Sequence, residues 1–302
     1  MAVAQALEPV ASPATPNAWR ALARRAAAFV LICVVVIAAW EGYKALGEAT
    51  KGMVPGTAIR LPVRTDDRSL PHTWRIVGSL FEPVRASDDT LLISNLLRYA
   101  AFTWFEAAVG FVIGGVFGFA LGVVFVQSRL LERGLMPYVV ASQAVPLLAI
   151  APMIVIWGSQ AGLPAWLAVS IIAAYLTFFP VAINTLRGLQ SPDPAAIELM
   201  RSYAATQGQI LWKLRVPAAL PYIFTALKIS ATSSIVGAIV GELPSGIQTG
   251  LGRALLTFSQ YFSTGPERLF GAVLISALVG IVFFGLVSLA ELWLVPARRR
   301  VE

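Results

Sequence analysis

SPDPAAIELMRSYAATQGQILWKLRVPAALP, residues 191–221, is a polar island between two apolar runs, and its reading decides what kind of fold surrounds it. Asp193 is a good N-cap, and Pro194 suits the first helical position, where no amide donor is needed. That spacing predicts a short helix ending near Tyr203. Thr206 followed three residues later by Gln209 is a capping box that starts a second helix, which Pro217 and Pro221 are expected to limit. A chain that keeps a capped helix pair outside lipid offers it to a soluble partner.

The composition around the island is that of an integral membrane protein. Of 302 residues, 57% are hydrophobic and 13% charged, about half the charged share of soluble chains. Apolar runs of about 20 residues suit bilayer-crossing helices. They are expected at 24–43, 101–126, 135–157, 165–186, 221–242 and 269–295, giving an all-α protein of six transmembrane helices. The Ala- and Pro-rich residues 1–23 are expected to be a disordered tail, 44–100 a loop with an amphipathic segment, and 296–302 a basic tail. Arg24 and Arg25 before an apolar run imitate a signal peptide. No small-residue cleavage site follows, so an uncleaved anchor is expected.

The net charge of +7 is scattered at span ends, which speaks for membrane orientation rather than nucleic acid. Arg20, Arg24 and Arg25 precede the first span. Arg129 and Arg133 follow the second, Arg187, Arg201, Lys213 and Arg215 lie between the fourth and fifth, and Arg298 to Arg300 follow the sixth. Residues 158–164 carry no charge. The positive-inside rule then places both termini and the island in the cytoplasm and loop 44–100 outside. The eight Lys or Arg within 44–98 argue the other way, with a vote weakened by the loop's length.

Gly110, Gly114, Gly118 and Gly122 recur every fourth residue, a stripe that lets another backbone come close, as a fixed contact or a sliding one. Glu106 begins the stripe, either as an acid working inside the membrane or as a solvated interfacial carboxylate. Lys228 and Glu291 are expected to snorkel toward the surface. Glu242, Pro244 and Gly246 open the run GELPSGIQTGLG, which reads as a gate near the substrate or as an ordinary re-entrant turn. His72 is expected to be a solvated loop residue, and Cys33 stands alone in an apolar span, so no metal site is expected. No GxxxxGK[ST], HExxH or GxSxG motif occurs. The chain is therefore expected to be no enzyme, and transport through it needs energy from elsewhere.

The island resembles the EAA loop of permease subunits of bacterial ABC importers: E-A-A, three residues, G, nine residues, I-x-L-P. Glu198 falls on the Glu and Pro217 on the proline; Leu199 and Met200 replace the alanines, Ala204 the glycine, and Leu214 and Val216 the Ile and Leu. PAALPYIFTALKI (217–229), VPLLAIAPMIVIWG (145–158) and the glycine-rich second span are similar to the nitrate/sulfonate/taurine group. The resemblance covers about residues 90–295 and implies the type I importer fold with a cytoplasmic coupling helix pair.

It further implies an ATPase subunit, a second permease copy, and a periplasmic or lipid-anchored binding protein in a bacterial inner membrane. Glu198, Arg201, Ala204, Ile210, Leu211, Leu214 and Pro217 would then couple to the ATPase, and ATP would be used only by that partner. A left-handed turn at Ala204 would cost about 1 kcal/mol. The GELPSGIQTGLG run resembles permeases for thiamine-pyrimidine precursors or riboflavin more than those for sulfonates. A nitrate/sulfonate/taurine permease, or an ion-coupled secondary transporter, are the alternatives.

Overall fold

The computed structural model describes residues 18–54, 59–84 and 90–295, so residues 1–17 of the expected tail and the basic C-terminal tail lie outside the described residues, whereas residues 18–23, expected to be disordered, are helical. The chain divides into two compact units, Met1–Trp74 and Arg75–Glu302.

In the first unit, α1 spans Ala18–Ala49, longer than the expected 24–43, and carries its apolar residues on an exposed surface that suits lipid. Its C-terminal turns are tied to the following loop by polar side chains. Trp40 Nε1 donates to the Pro71 carbonyl at 3.0 Å, and Glu41 accepts from the Thr73 amide and hydroxyl at 2.7 Å each. Lys44 is fully buried, with Nζ donating to the Leu70 carbonyl at 2.8 Å and pairing with Asp67. His72 is not a solvated loop residue: Nδ1 lies 2.8 Å from Glu41, and its ring stacks on Trp74 at 4.0 Å between centroids. Glu48, Asp67 and His72 converge closely enough to suggest a cation site, but the Lys44 ammonium already sits between Glu48 and Asp67.

The second unit starts with α2 (Thr73–Ser79), most of which belongs to it, and continues through α3 (Leu92–Gln127), α4 (Arg129–Ser142), α5 (Leu147–Gln160) and α6 (Ala165–Leu189). Then come α7 (Pro194–Ser202), α8 (Gln207–Ile210), α9 (Val216–Ser245), α10 (Leu251–Gln260) and α11 (Pro266–Leu294). Five helical spans in the described residues are long and apolar enough to cross a membrane. The sixth, expected as one helix over 135–157, is instead the pair α4–α5, bent by 98°. The cause is local. Pro146 drives the residue before it out of the helical region and forms the N-cap of α5. The Tyr175 hydroxyl of α6 donates to the Ser142 carbonyl at the break, giving a freed backbone group a partner.

The centre of this unit is α6, packed between α3 and α9. Its α3 face follows the glycine stripe. A Cβ on Gly110 would lie 2.5 Å from Ala173 Cβ, on Gly114 2.5 Å from the Ala174 carbonyl, and on Gly118 2.5 Å from the Phe178 carbonyl. Gly122 meets Thr185 in the same way at 2.7 Å. Lipid is as apolar as leucine, so dispersion at close range holds such helices together rather than escape from water. Among the described residues three buried clusters run along the unit: Leu92, Leu96 and Leu251 at one end, Ala173, Ala231 and Phe283 midway, and Leu189, Leu211 and Ala219 at the other.

Candidate functional site

Two places in the second unit gather the residues singled out by sequence. The first is the helix pair. The Asp193 side chain accepts from the Ala195 amide at 2.8 Å, and Pro194 occupies the first turn of α7. At α8 both halves of the capping box are made: the Thr206 amide to Gln209 Oε1 at 2.8 Å and the Gln209 amide to Thr206 Oγ1 at 3.3 Å. Between them the chain turns at Ala204, whose φ is +54°. The Ala205 amide reaches the Met200 carbonyl at 3.0 Å and the Ala204 amide the Arg201 carbonyl at 2.9 Å, the paired bonds of a Schellman ending. Alanine occupies a position that ordinarily takes glycine.

Pro217 and Pro221 do not end the second helix. From Gln207 the chain runs through α8, a π-turn at Leu211–Arg215 and α9 without a break, so Pro217 lies in the first turn of α9. A π-turn inserts one extra residue per ring and shifts the hydrogen-bond register where proline has no donor. The π-turn thus joins the short helix to a long span as one body. A second correction concerns the apolar face. Leu211 is buried against Leu189, Ala219 and Ile223, Ile210 is buried as well, and Leu214 is half-buried. Those side chains anchor the pair to its own bundle. The exposed apolar groups are Leu199, Tyr203 and Trp212, with Tyr203 80% exposed. Glu198, Arg201 and Lys213 are exposed beside them.

The second place lies at the opposite end of α9. Glu242 is fully buried in its last turns, followed by exposed Pro244 and by Gly246, the left-handed C-cap at φ +71°. The Glu242 carboxylate is not idle. Oε1 accepts from the Thr103 hydroxyl of α3 at 2.5 Å, and Oε2 accepts from the Gly252 amide of α10 at 2.5 Å. Thr103 Oγ1 in turn accepts from the Leu251 amide at 2.8 Å. A helix start leaves its first amides without intrahelical partners and bears positive partial charge. α10 begins at Gly250, which has no side chain to cap it, and Glu242 and Thr103 supply the cap from two other helices. Gly250 holds φ +100°, and a Cβ there would collide with the Glu242 carboxyl. The run 242–252 is therefore a stapled helix–turn–helix joining α3, α9 and α10.

Glu106 is also fully buried, one turn along α3 from Thr103, so a solvated interfacial carboxylate is excluded. Its carboxyl lies beside that of Glu242. Two residues read from sequence as independent snorkelling groups are in fact a pair: Lys228 Nζ of α9 lies 2.9 Å from Glu291 of α11. Neither Thr103 nor this pairing carries a local sequence signal, because each partner lies far away along the chain.

Residues 110–300 match the family described as binding-protein-dependent transport system inner membrane component. The chain belongs to that family. Among its relatives is the formylaminopyrimidine transport permease protein ThiX of Halalkalibacterium halodurans, 34% identical over 64% of this chain and 74% of that one. The riboflavin transport system permease protein RibX of Chloroflexus aurantiacus is 35% identical over 55% and 60%, respectively. The nitrate import permease protein NrtB of Synechocystis is 28% identical over 81% and 83%. The fold is that of an amino acid ABC transporter solved with histidines, with TM-score 0.52, 23% identity, and coverage of 67% of this chain and 94% of that one. This is a multi-pass inner-membrane permease subunit of an ABC importer, in the nitrate/sulfonate/taurine-like group.

Proposed function

We propose that this subunit is driven by a separate ABC ATPase that docks on α7, α8 and the π-turn, and that it works as a pair with a second copy. The observation that carries this is the capped helix pair with Leu199, Tyr203 and Trp212 exposed at one end of the bundle. Large apolar groups on a capped polar element are what a soluble partner would cover. Arg201, Lys213 and Arg215 lie close by and suit acidic groups on that partner. ATP is consumed on the partner, since this chain lacks a phosphate loop. The π-turn makes the docked element continuous with α9, so a push on α8 is carried along about 30 residues to the Glu242 staple. Basic residues at this end of the bundle support a cytoplasmic placement, with both termini on the same side.

The solute is a thiamine-pyrimidine precursor or a riboflavin-like compound, delivered by a binding protein. This rests on the ThiX and RibX relatives, at 34% and 35% identity, against 28% for NrtB. The test of coupling is co-purification with the ATPase after Glu198→Arg combined with Leu199→Asp and Trp212→Asp. Loss of association with a preserved thermal midpoint is expected, and undiminished association would sink the proposal. The solute is tested by calorimetric titration of the partner binding protein with formylaminopyrimidine, riboflavin and taurine. Binding of taurine alone would refute the heterocycle assignment.

A further inference from the structure

At the end of the bundle away from α7, the first turns of α3 and the start of α10 enclose a cavity of about 330 Å³. Asn95 and Tyr99 of α3 line one side; Gln248, Arg253, Thr257 and Phe258 line the other. Among the described residues no carboxylate lines it, and Arg253 is its charged side chain. Most of its polar groups are already engaged. Asn95 Nδ2 donates to Thr90 Oγ1 at 3.1 Å, Thr257 Oγ1 to the Arg253 carbonyl at 2.9 Å, and Gln248 Nε2 to the Gly246 carbonyl at 3.0 Å. The Arg253 guanidinium and the Tyr99 hydroxyl have no hydrogen-bond or ion-pair partner among the described residues.

Arg253 is half-buried and meets no counter-ion among the described residues, and the planar fork of donors on a guanidinium matches a carboxylate or phosphate in bidentate fashion. Tyr99 adds one donor, and its ring with that of Phe258 offers aromatic surface to whatever carries the charge. An apolar cavity of about 150 Å³ holds a benzene molecule in another protein, so the space here admits a six-membered ring together with an oxyanion. The backbone of the same segment is held by Glu242 and Thr103, so Arg253 is fixed on a stapled element rather than a free loop.

We infer that this cavity binds an organic oxyanion, a carboxylate or phosphate borne on a small flat ring, with Arg253 as its charge partner and Tyr99 as its second donor. The same chemistry is available from a soluble anion or from the phosphate of an anionic lipid, because the cavity opens near the start of a membrane span. Binding is independent of the ATPase and of turnover, so the inference stands apart from the transport proposal.

The test uses the full chain in nanodiscs of purely zwitterionic lipid, with phenyl phosphate as probe and saturation-transfer NMR as readout. Saturable binding is expected, weakened at least tenfold by Arg253→Gln and a few-fold by Tyr99→Phe. Arg98→Gln, on an exposed arginine of α3 outside the cavity, is expected to leave it unchanged. Benzyl alcohol, which keeps the ring and lacks the charge, is expected not to compete. If anionic lipid displaces the probe from the wild type but not from Arg253→Gln, the oxyanion site is supported and its source is lipid. Absence of probe binding, or equal binding by wild type and both cavity variants, would overturn the inference. Should Arg253→Gln fail to fold, Tyr99→Phe alone decides.

Discussion

Replacing Ala204 by glycine should tighten the turn between α7 and α8. Ala204 stands at φ +54°, where its Cβ crowds the following carbonyl, at a cost of roughly 1–2 kcal/mol. Glycine removes that crowding but gains backbone freedom when the turn opens, which returns about 0.4–1 kcal/mol. The net gain is about 1 kcal/mol, equivalent to roughly fivefold in the opening equilibrium of the turn. The two bonds that report on it are Ala204 N–H to the Arg201 carbonyl and Ala205 N–H to the Met200 carbonyl. Hydrogen exchange on the detergent-solubilised full-length chain should therefore show the amides of 204 and 205 slowed by about that factor. Ala205→Gly supplies the control, since residue 205 has no positive φ, and there protection should fall. If Ala204→Gly exchanges as fast as the wild type, or faster, the strain argument is wrong.

Three further perturbations test the staple and the packing. Thr103→Ala removes a donor to Glu242 and an acceptor for the Leu251 amide, so the thermal midpoint should fall, by the equivalent of about 1–3 kcal/mol per buried group left unpaired. A Thr103→Ala protein that melts with the wild type would refute the staple. Gly114→Ala forces a methyl against the Ala174 carbonyl and should destabilise by roughly 1–3 kcal/mol. Gly115→Ala, whose nearest neighbour is Leu227 at 3.8 Å, should be tolerated; equal effects at both positions would remove the stripe's significance. Lys228→Met and Glu291→Leu should each lower the melting temperature, while the double substitution recovers most of the loss, since it leaves no lone charge between α9 and α11. A double variant as unstable as the sum of the singles would mean that the pairing contributes nothing.

Much of this architecture was legible without coordinates because its signals are local. Twenty-residue apolar runs, Asp193 before Pro194, and Thr206 three residues ahead of Gln209 each carry their meaning within one or two turns. So does the four-residue glycine repeat, which needs only the helical period to become a stripe. Local reading failed where a neighbouring segment changed the outcome. Ile210 and Leu211 have the spacing of a docking face and are instead buried, Leu211 against Leu189 and Ala219. Pro217 has the look of a helix stop, but a π-turn absorbs its missing donor. The bend in the third span needs Pro146, visible in sequence, and the Tyr175 hydroxyl, which is not.

What the sequence determined by itself is the class of molecule: spans, caps, a charge bias along the chain, and an element set apart for a partner. These depend on periodicity, composition and short spacings, all properties of the chain as a line. What only the tertiary structure decided is which polar groups share a buried place. Glu242 meets Thr103 and Gly252 from helices 139 and 10 residues away, and Lys228 meets Glu291 across 63. In a membrane interior a buried polar group is tolerated only with a partner, and the partner is chosen by how the helices pack.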